Sequence, residues 1–325
     1  MNTTRLLPVC KAASVGLLRL GSLQTAALGE WQRDDTSVAW VRGTNVFWRF
    51  SFDPGKGKPF FHPLAPGGGQ PLTNFRPVDH PWHYALWFSW KYITHPNDAG
   101  HVNYWEENST GNAQGKTRWD PPTIETRTDG QATIRLKLRY VTPSGETDLT
   151  ELRELCVSAP AADGGFAIDW LARFTAGERD LVLDRTPMPG EPGGQVNGGY
   201  AGLSARMVPM PVTMSVVATT GPVERFVSNR ARPKAAAVAC NFSDGLRDIG
   251  SLAFFSDPAN TGGEAPWYII DSRQMPFICQ ALLAPKPRPV PAHGEFTLRY
   301  HIAVSPTAWT QARLEAVQNE WLRKR

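Results

Sequence analysis

The stretch DGQATIRLKLRY, residues 129–140, decides the fold. Ala132, Ile134, Leu136, Leu138 and Tyr140 alternate with Thr133, Arg135, Lys137 and Arg139, so an extended chain puts the apolar side chains on one face and the charged ones on the other. Asp129-Gly130 just before it is a tight-turn pair, which predicts a hairpin with the run around Ile124. Working outward, the same period of two recurs at Phe166, Ile168, Trp170, Ala172 and Phe174, and at Phe296, Leu298, Tyr300, Ile302 and Val304. Shorter runs over 38–50, 149–157, 212–218, 251–255 and 267–270 lie between Gly, Pro, Asn and Asp residues. The pattern predicts an all-β protein, a large antiparallel β-sandwich. One helix is predicted over 307–323, where Ser305-Pro306 offers a start and Leu314, Val317 and Trp321 share a face, as a C-terminal cap on a sheet.

Composition bounds the function. Of 325 residues, 57 are Gly or Pro, which suits many turns, and no apolar run approaches the ~20 residues needed to span a bilayer as a helix. The formal charge of +4 is local, because Arg5, Lys11 and Arg19 precede the first acidic residue, Glu30; without them 31 basic residues face 30 acidic ones. Nothing in that balance attracts nucleic acid phosphates, so no nucleic acid partner and no membrane insertion are expected. Residues 1–29 carry those three basic residues, a short apolar run from Ala12 to Leu18 and small residues at Ala26 and Ala27, the outline of a targeting signal interrupted by Arg19. A cleaved signal would make the protein periplasmic or secreted; otherwise it stays in the cytoplasm. Residues 30–325 show no repeat and no charge-rich linker, which predicts one domain. Cys10, Cys156, Cys240 and Cys279 lack metal or redox spacing; Cys156 and Cys279 are expected to be buried, and the spacing leaves a disulfide undetermined.

The chemistry concentrates in residues 58–107, which hold five of the seven His, while five of the twelve Trp lie between Trp82 and Trp119. Sugars present apolar C–H faces and hydroxyl rims, and aromatic walls edged by polar groups suit both. Imidazoles titrate near ~6.5, so His80 and His83 suit proton transfer, with Glu106 as an orienting or second acid/base group. Asp79 and Trp82 stand beside them. A His/carboxylate metal site built from His80 and His83 with Asp79, His62 or His101 is the lesser reading: H-P-W-H lacks the i, i+4 helical spacing, and two His three apart on a straight strand face opposite ways. No cofactor is expected. Dinucleotide, phosphate-loop and serine-hydrolase motifs are absent. In GGYAGLSARM (198–207), a glycine-rich bend carries Tyr200, and Arg206 is a candidate for binding an anion or a polar oxygen.

Several of these runs share a family resemblance. KPFFHPL (58–64), DHPWHYALWFSWKY (79–92), VNYWEE (102–107), GGYAGLSARM, GSLAFFSDPAN (250–260), PWYI (266–269) and FTLRYHIAV (296–304) together resemble the bacterial PmoA-like proteins, labelled methane oxygenase and otherwise a domain of unknown function. The resemblance implies a mutarotase-like supersandwich and sugar or glycoside catabolism, with matching positions at His62, His80, His83, Trp87, Asn103, Trp105, Arg206 and Trp267. Tyr84 stands where the resemblance implies a basic residue more often, which weakens an anion-binding role there. Methane oxidation is rejected, since it belongs to an integral membrane protein and this chain has no span for it.

The reading that results is a carbohydrate-active enzyme, of lyase, hydrolase or epimerase type, acting on a small sugar or glycoside. His80, His83, Glu106 and Arg206 are the candidate catalytic groups; His62, Asp79, Trp82, Trp87, Asn103, Trp105, Tyr200 and Trp267 are the candidate binding groups. A non-catalytic glycan-binding module and a structural subunit are the alternatives. Oligomeric state is open.

Overall fold

A computed structural model describes residues 29–96, 98, 100–106, 115–209 and 213–324. The expected targeting segment, apart from Gly29, lies outside the described residues, as do Cys10, Glu107 and Val212.

Among the described residues every named strand pair is antiparallel, in two ten-stranded sheets and a smaller four-stranded one. The strand Ala132–Val141 pairs along its length with Thr147–Val157, and its start meets Thr123–Thr126 with Ile134 opposite Ile124, the hairpin that Asp129-Gly130 predicts. Phe166–Ala176 and Glu295–Ser305 follow as neighbours in the same sheet. Their apolar faces turn inward: Ile134, Leu138, Ile168, Trp170, Leu298 and Ile302 are buried in one cluster with Trp48, Phe61, Leu86 and Phe88 of the opposing sheet. Full burial of side chains of this size stabilises by roughly 1.5–3 kcal/mol each, which fixes the register, since a one-residue slip would turn the whole face to water.

The opposing sheet is buried on both faces. In Leu86–Ser89, Leu86 and Phe88 point into the sandwich, while Trp87 points the other way into a second cluster with Phe60, Tyr84, Trp105, Tyr268 and Phe277. This outer face, covered by residues 75–84, 105 and 200, positions the candidate site.

The C-terminal helix spans Gln311–Arg323 and begins later than expected. Thr310 caps it by accepting from the Arg313 N–H at 3.2 Å, whereas Ser305 closes the preceding strand and bonds within the 305–307 turn. Leu314 is buried against Ala237, Ala239, Ala253 and Phe255, with Trp321 packed beside them, so the helix covers the far face of the second sheet. Cys156, Cys240 and Cys279 are free thiols; Cys279 is buried and Cys156 only half-buried.

Candidate functional site

The site begins with a bend that the sequence pattern leaves open. The His80 N–H donates to the Pro77 carbonyl and the His83 N–H to the His80 carbonyl, at 3.0 and 2.9 Å, so residues 77–83 run through two successive turns. The turns bring the two imidazoles, which a straight strand would separate, into a stack with ring centres 4.6 Å apart. Trp82 stands edge-on to His80 at 5.3 Å, and His83 stacks on Phe277 at 5.1 Å. The described residues still show no group of three His, Cys, Asp or Glu side chains placed to hold a metal ion.

These rings open onto a cleft of about 200 Å³ lined by His80, Trp82, His83, Trp105, Glu106, Asn197, Tyr200, Tyr268, Ile270, Met275 and Phe277. At one end the Asp79 carboxylate lies 2.9 Å from His80 Nδ1 and accepts two bonds from Arg206 Nη2, at 3.0 and 2.8 Å. Burial raises the Asp79 pKa, but the bonds from Arg206 and His80 outweigh it and hold the carboxyl below its usual range. An ionised Asp79 fixes the tautomer: Nδ1 carries the proton toward it, and Nε2 is the nitrogen left for a ligand. His83 differs. Its buried Nδ1 has no hydrogen-bond partner, and burial, followed by the charges of His80, Arg206 and Lys58, drives its pKa well below 6.5. His83 is therefore neutral at pH 7.

At the other end Glu106 is gripped by Lys91 Nζ at 2.5 and 2.6 Å and by Asn103 Nδ2 at 2.6 Å, with the Tyr200 hydroxyl at 3.4 Å. Lys91 lies over the rings of Tyr92 and Tyr200, at 4.8 and 5.2 Å, and burial lowers its pKa against the opposing pull of Glu106. Burial, with the Glu106 charge, raises the pKa of Tyr200. Glu106 thus stands in an ion pair with Lys91 at the far end of the cleft from Asp79.

Several expected site residues stand elsewhere. Trp267 faces the sandwich core and donates from its indole to the Ala235 carbonyl at 3.0 Å, because adjacent strand residues face opposite ways; its neighbour Tyr268 takes the cleft side. His62 bonds Thr73 Oγ1 at 3.1 Å outside the cleft, and burial lowers its pKa to about 4. Trp87 lies beneath the floor, 5.2 Å from His83 and 5.4 Å from Trp105. Asn103 positions Glu106. Arg206 is fully buried and holds Asp79 and the Gln274 carbonyl through Nη2, while its Nε and Nη1 have no hydrogen-bond partner.

Residues that motif reading missed complete the cleft or, in the case of Lys91, hold its lining in place. Lys91 stood inside a quoted run, and its signal was a lone cation among aromatics. Tyr268, Ile270 and Phe277 come from Ala265–Ile270 and Phe277–Gln280, and Asn197 from the 185–200 loop; only the strand order Leu86–Ser89, Gly202–Arg206, Phe277–Gln280, Ala265–Ile270 brings them together.

No curated protein sequence matches the chain. Among solved structures, an alpha-galactosidase from Lactobacillus brevis is similar at 10% identity and TM-score 0.44, over 85% of this chain and 39% of that one, so the chain spans well under half of that enzyme. A protein assigned as an aldose 1-epimerase from Klebsiella pneumoniae subsp. pneumoniae is similar at 8% identity and TM-score 0.40, over 89% of this chain and 81% of that one. A galactose mutarotase related enzyme from Lactobacillus acidophilus follows at 7% identity and TM-score 0.28, over 86% and 98%. Likenesses this distant carry no argument about chemistry. The resemblance to PmoA-like proteins is corrected by the family model that does match, over residues 37–319. That match places the chain in DUF6807, a family of unknown function, to which it belongs.

Proposed function

We propose that the cleft is the site of a carbohydrate-active enzyme in which His80 moves a proton at a sugar packed against Trp82, with the buried Trp105 in the wall behind. The observation that carries this reading is the pairing of His80 Nδ1 with an ionised Asp79 while the same ring lines an aromatic cleft. A carboxylate on Nδ1 orients the ring and stabilises the imidazolium that forms when Nε2 takes a proton, and Arg206 holds that carboxylate in place. His83, neutral and stacked on His80, gives the ring a rigid neighbour that does not compete for the proton.

The arrangement favours proton abstraction, as in elimination or epimerisation beside a carbonyl, over hydrolysis by two carboxylates. Hydrolysis of that kind needs one free carboxylic acid and one free carboxylate flanking the bond. Here Asp79 is tied to Arg206, and Glu106 to Lys91 and Asn103.

Proton NMR of the protein with a panel of glycosides and their 3-keto forms tests this. New product signals are expected, formed at least ~100-fold more slowly by His80→Ala. An equal rate in that variant would remove His80 from the mechanism. Ligand line broadening without product would instead make the protein a glycan-binding module.

A further inference from the structure

Two side chains of the cleft lining offer a ligand opposite hydrogen-bonding senses. His80, with Nδ1 turned to Asp79, presents Nε2 as an acceptor of protons. Tyr200 presents a hydroxyl, a donor. Both residues are half-buried and keep an accessible edge, whereas His83, Trp105, Tyr268 and Phe277 of the same lining are buried. The Tyr200 ring is held from two sides: its centre lies 4.9 Å from that of Trp105, and Lys91 Nζ lies over its face at 5.2 Å.

The ring is fixed, but the hydroxyl is loosely engaged. It donates to Glu106 Oε1 at 3.4 Å, long against the ~2.7–2.8 Å of a good O–H···O bond. Lys91 Nζ already holds that oxygen at 2.5 Å, and Asn103 Nδ2 holds the other at 2.6 Å. Turning the Tyr200 O–H to a better acceptor therefore gives up little and leaves the Glu106 carboxylate with its stronger donors. Burial, followed by the Glu106 charge, keeps the Tyr200 pKa well above the ordinary 10, so at pH 7 the group is a phenol with its proton in place.

Resting on the sugar reading above, we propose that Tyr200 is a second catalytic residue of this cleft, its hydroxyl donating to the carbonyl oxygen of an oxidised sugar while His80 Nε2 takes the proton from the adjacent carbon. The C–H electron pair becomes the C=C bond of an enolate, and the π pair of C=O moves onto the oxygen. That negative charge is held by the Tyr200 O–H and balanced by the His80 imidazolium, so the donor acts where charge develops and keeps its own proton. The proton then returns from Nε2 to carbon; nothing is oxidised or reduced, and no co-reactant is consumed. A plain hydroxyl in place of the carbonyl gives Tyr200 no developing charge to hold and leaves a C–H bond too weakly acidic for an imidazole. The substrate class is therefore a keto sugar or keto glycoside, and the parent glycoside binds without turnover.

The test follows deuterium uptake at the carbons beside the carbonyl, by proton NMR in heavy water, in methyl and phenyl 3-ketopyranosides of the gluco, galacto and xylo series. Calorimetric binding of the parent methyl and phenyl pyranosides runs beside it. Wild type is expected to exchange at least one ketopyranoside, and Tyr200→Phe to do so with kcat about 100-fold lower. Affinity of Tyr200→Phe for the parent pyranoside should stay within about threefold of wild type, because Phe keeps the ring against Trp105. 3-Fluorotyrosine in place of Tyr200 fits the same space and is a stronger donor, so it should exchange at the wild-type rate or faster; a rate at least ~10-fold lower would overturn the proposal. A wild-type rate in Tyr200→Phe, with His80→Ala at least ~100-fold slower, would also overturn it and leave the role of His80 standing. Parent affinity lost by the same factor as the rate would make Tyr200 a binding residue only, and would overturn it as well. No exchange of any ketopyranoside by wild type would overturn both this proposal and the enzymatic reading it rests on.

Discussion

Burial holds the His62 imidazole down to about 4 from its usual 6.5. Below pH 6.5 the unfolded chain protonates this group while the folded chain does not, so the unfolded state binds more protons and stability falls as pH drops, until His62 itself titrates near 4. A shift of about 2.5 units corresponds to about 3 kcal/mol. Urea unfolding at pH 7 and pH 4 should show wild type losing about 3 kcal/mol more than His62→Gln, which retains a side-chain acceptor for Thr73; parallel losses would contradict the assignment. Adjacent residues show why individual site positions were hard to read. The PWYI run reaches the cleft through Tyr268 and not through Trp267, because the two face opposite sides of one strand, and only the side on which the sandwich core lies tells which is which. The His pair was legible as residues but not as a stack, because the two turns over 77–83 depend on backbone bonds that no periodicity encodes.

At the scale of elements, strands with one wet face were the most legible. Ala132–Val141 and Phe166–Ala176 alternate buried with half-buried or exposed residues along their length, as their sequences do. Leu86–Ser89, buried on both faces, has no alternation to read. The helix was legible from its apolar face but not from its start, because Ser305-Pro306 and Thr310 both offer capping chemistry and only the structure shows which hydroxyl meets the first turn. Thr310→Ala should therefore cost about 1 kcal/mol in chemical denaturation, and Thr310→Ser much less. Equal stability of Thr310→Ala and wild type would place the helix start elsewhere. In the loop over 185–200, a Cβ on Gly198 would sit 1.9 Å from the Pro187 carbonyl oxygen. Gly198→Ala should displace Asn197 and Tyr200 and weaken ligand binding at least tenfold, read by the same calorimetry; unchanged affinity would separate this loop from the site.

Across the whole molecule, the sandwich encloses an ion pair: Arg153 binds Glu151 through Nε and Nη2 at 2.6 and 2.9 Å, Tyr140 donates to Glu151 at 2.8 Å, and Arg153 lies over the Trp170 ring at 4.7 Å. Both charged side chains are almost wholly enclosed. Arg153→Met leaves a buried carboxylate without its cation and should destabilise the protein by about 3–5 kcal/mol, whereas Glu151→Leu/Arg153→Met together should cost less, a comparison that equilibrium unfolding makes directly. A double variant no more stable than the single one would show that the pair is not the source of the loss. Sheet architecture was legible because alternation, turn residues and a lack of helical periodicity all agreed; the cleft was legible only in part, since Tyr268, Ile270 and Phe277 of its wall come from strands more than 150 residues from His80 in sequence. The central claim is that this cleft, and no other part of the surface, receives a sugar. Indole N–H signals in nitrogen-15 tryptophan-labelled protein, assigned by single Trp→Phe variants, test it most directly during titration with phenyl pyranosides. Trp82 and Trp105 are expected to shift together with saturating ligand while Trp267, Trp119 and Trp309 stay fixed. Shifts confined to those distant indoles, or none with any pyranoside, would contradict the account.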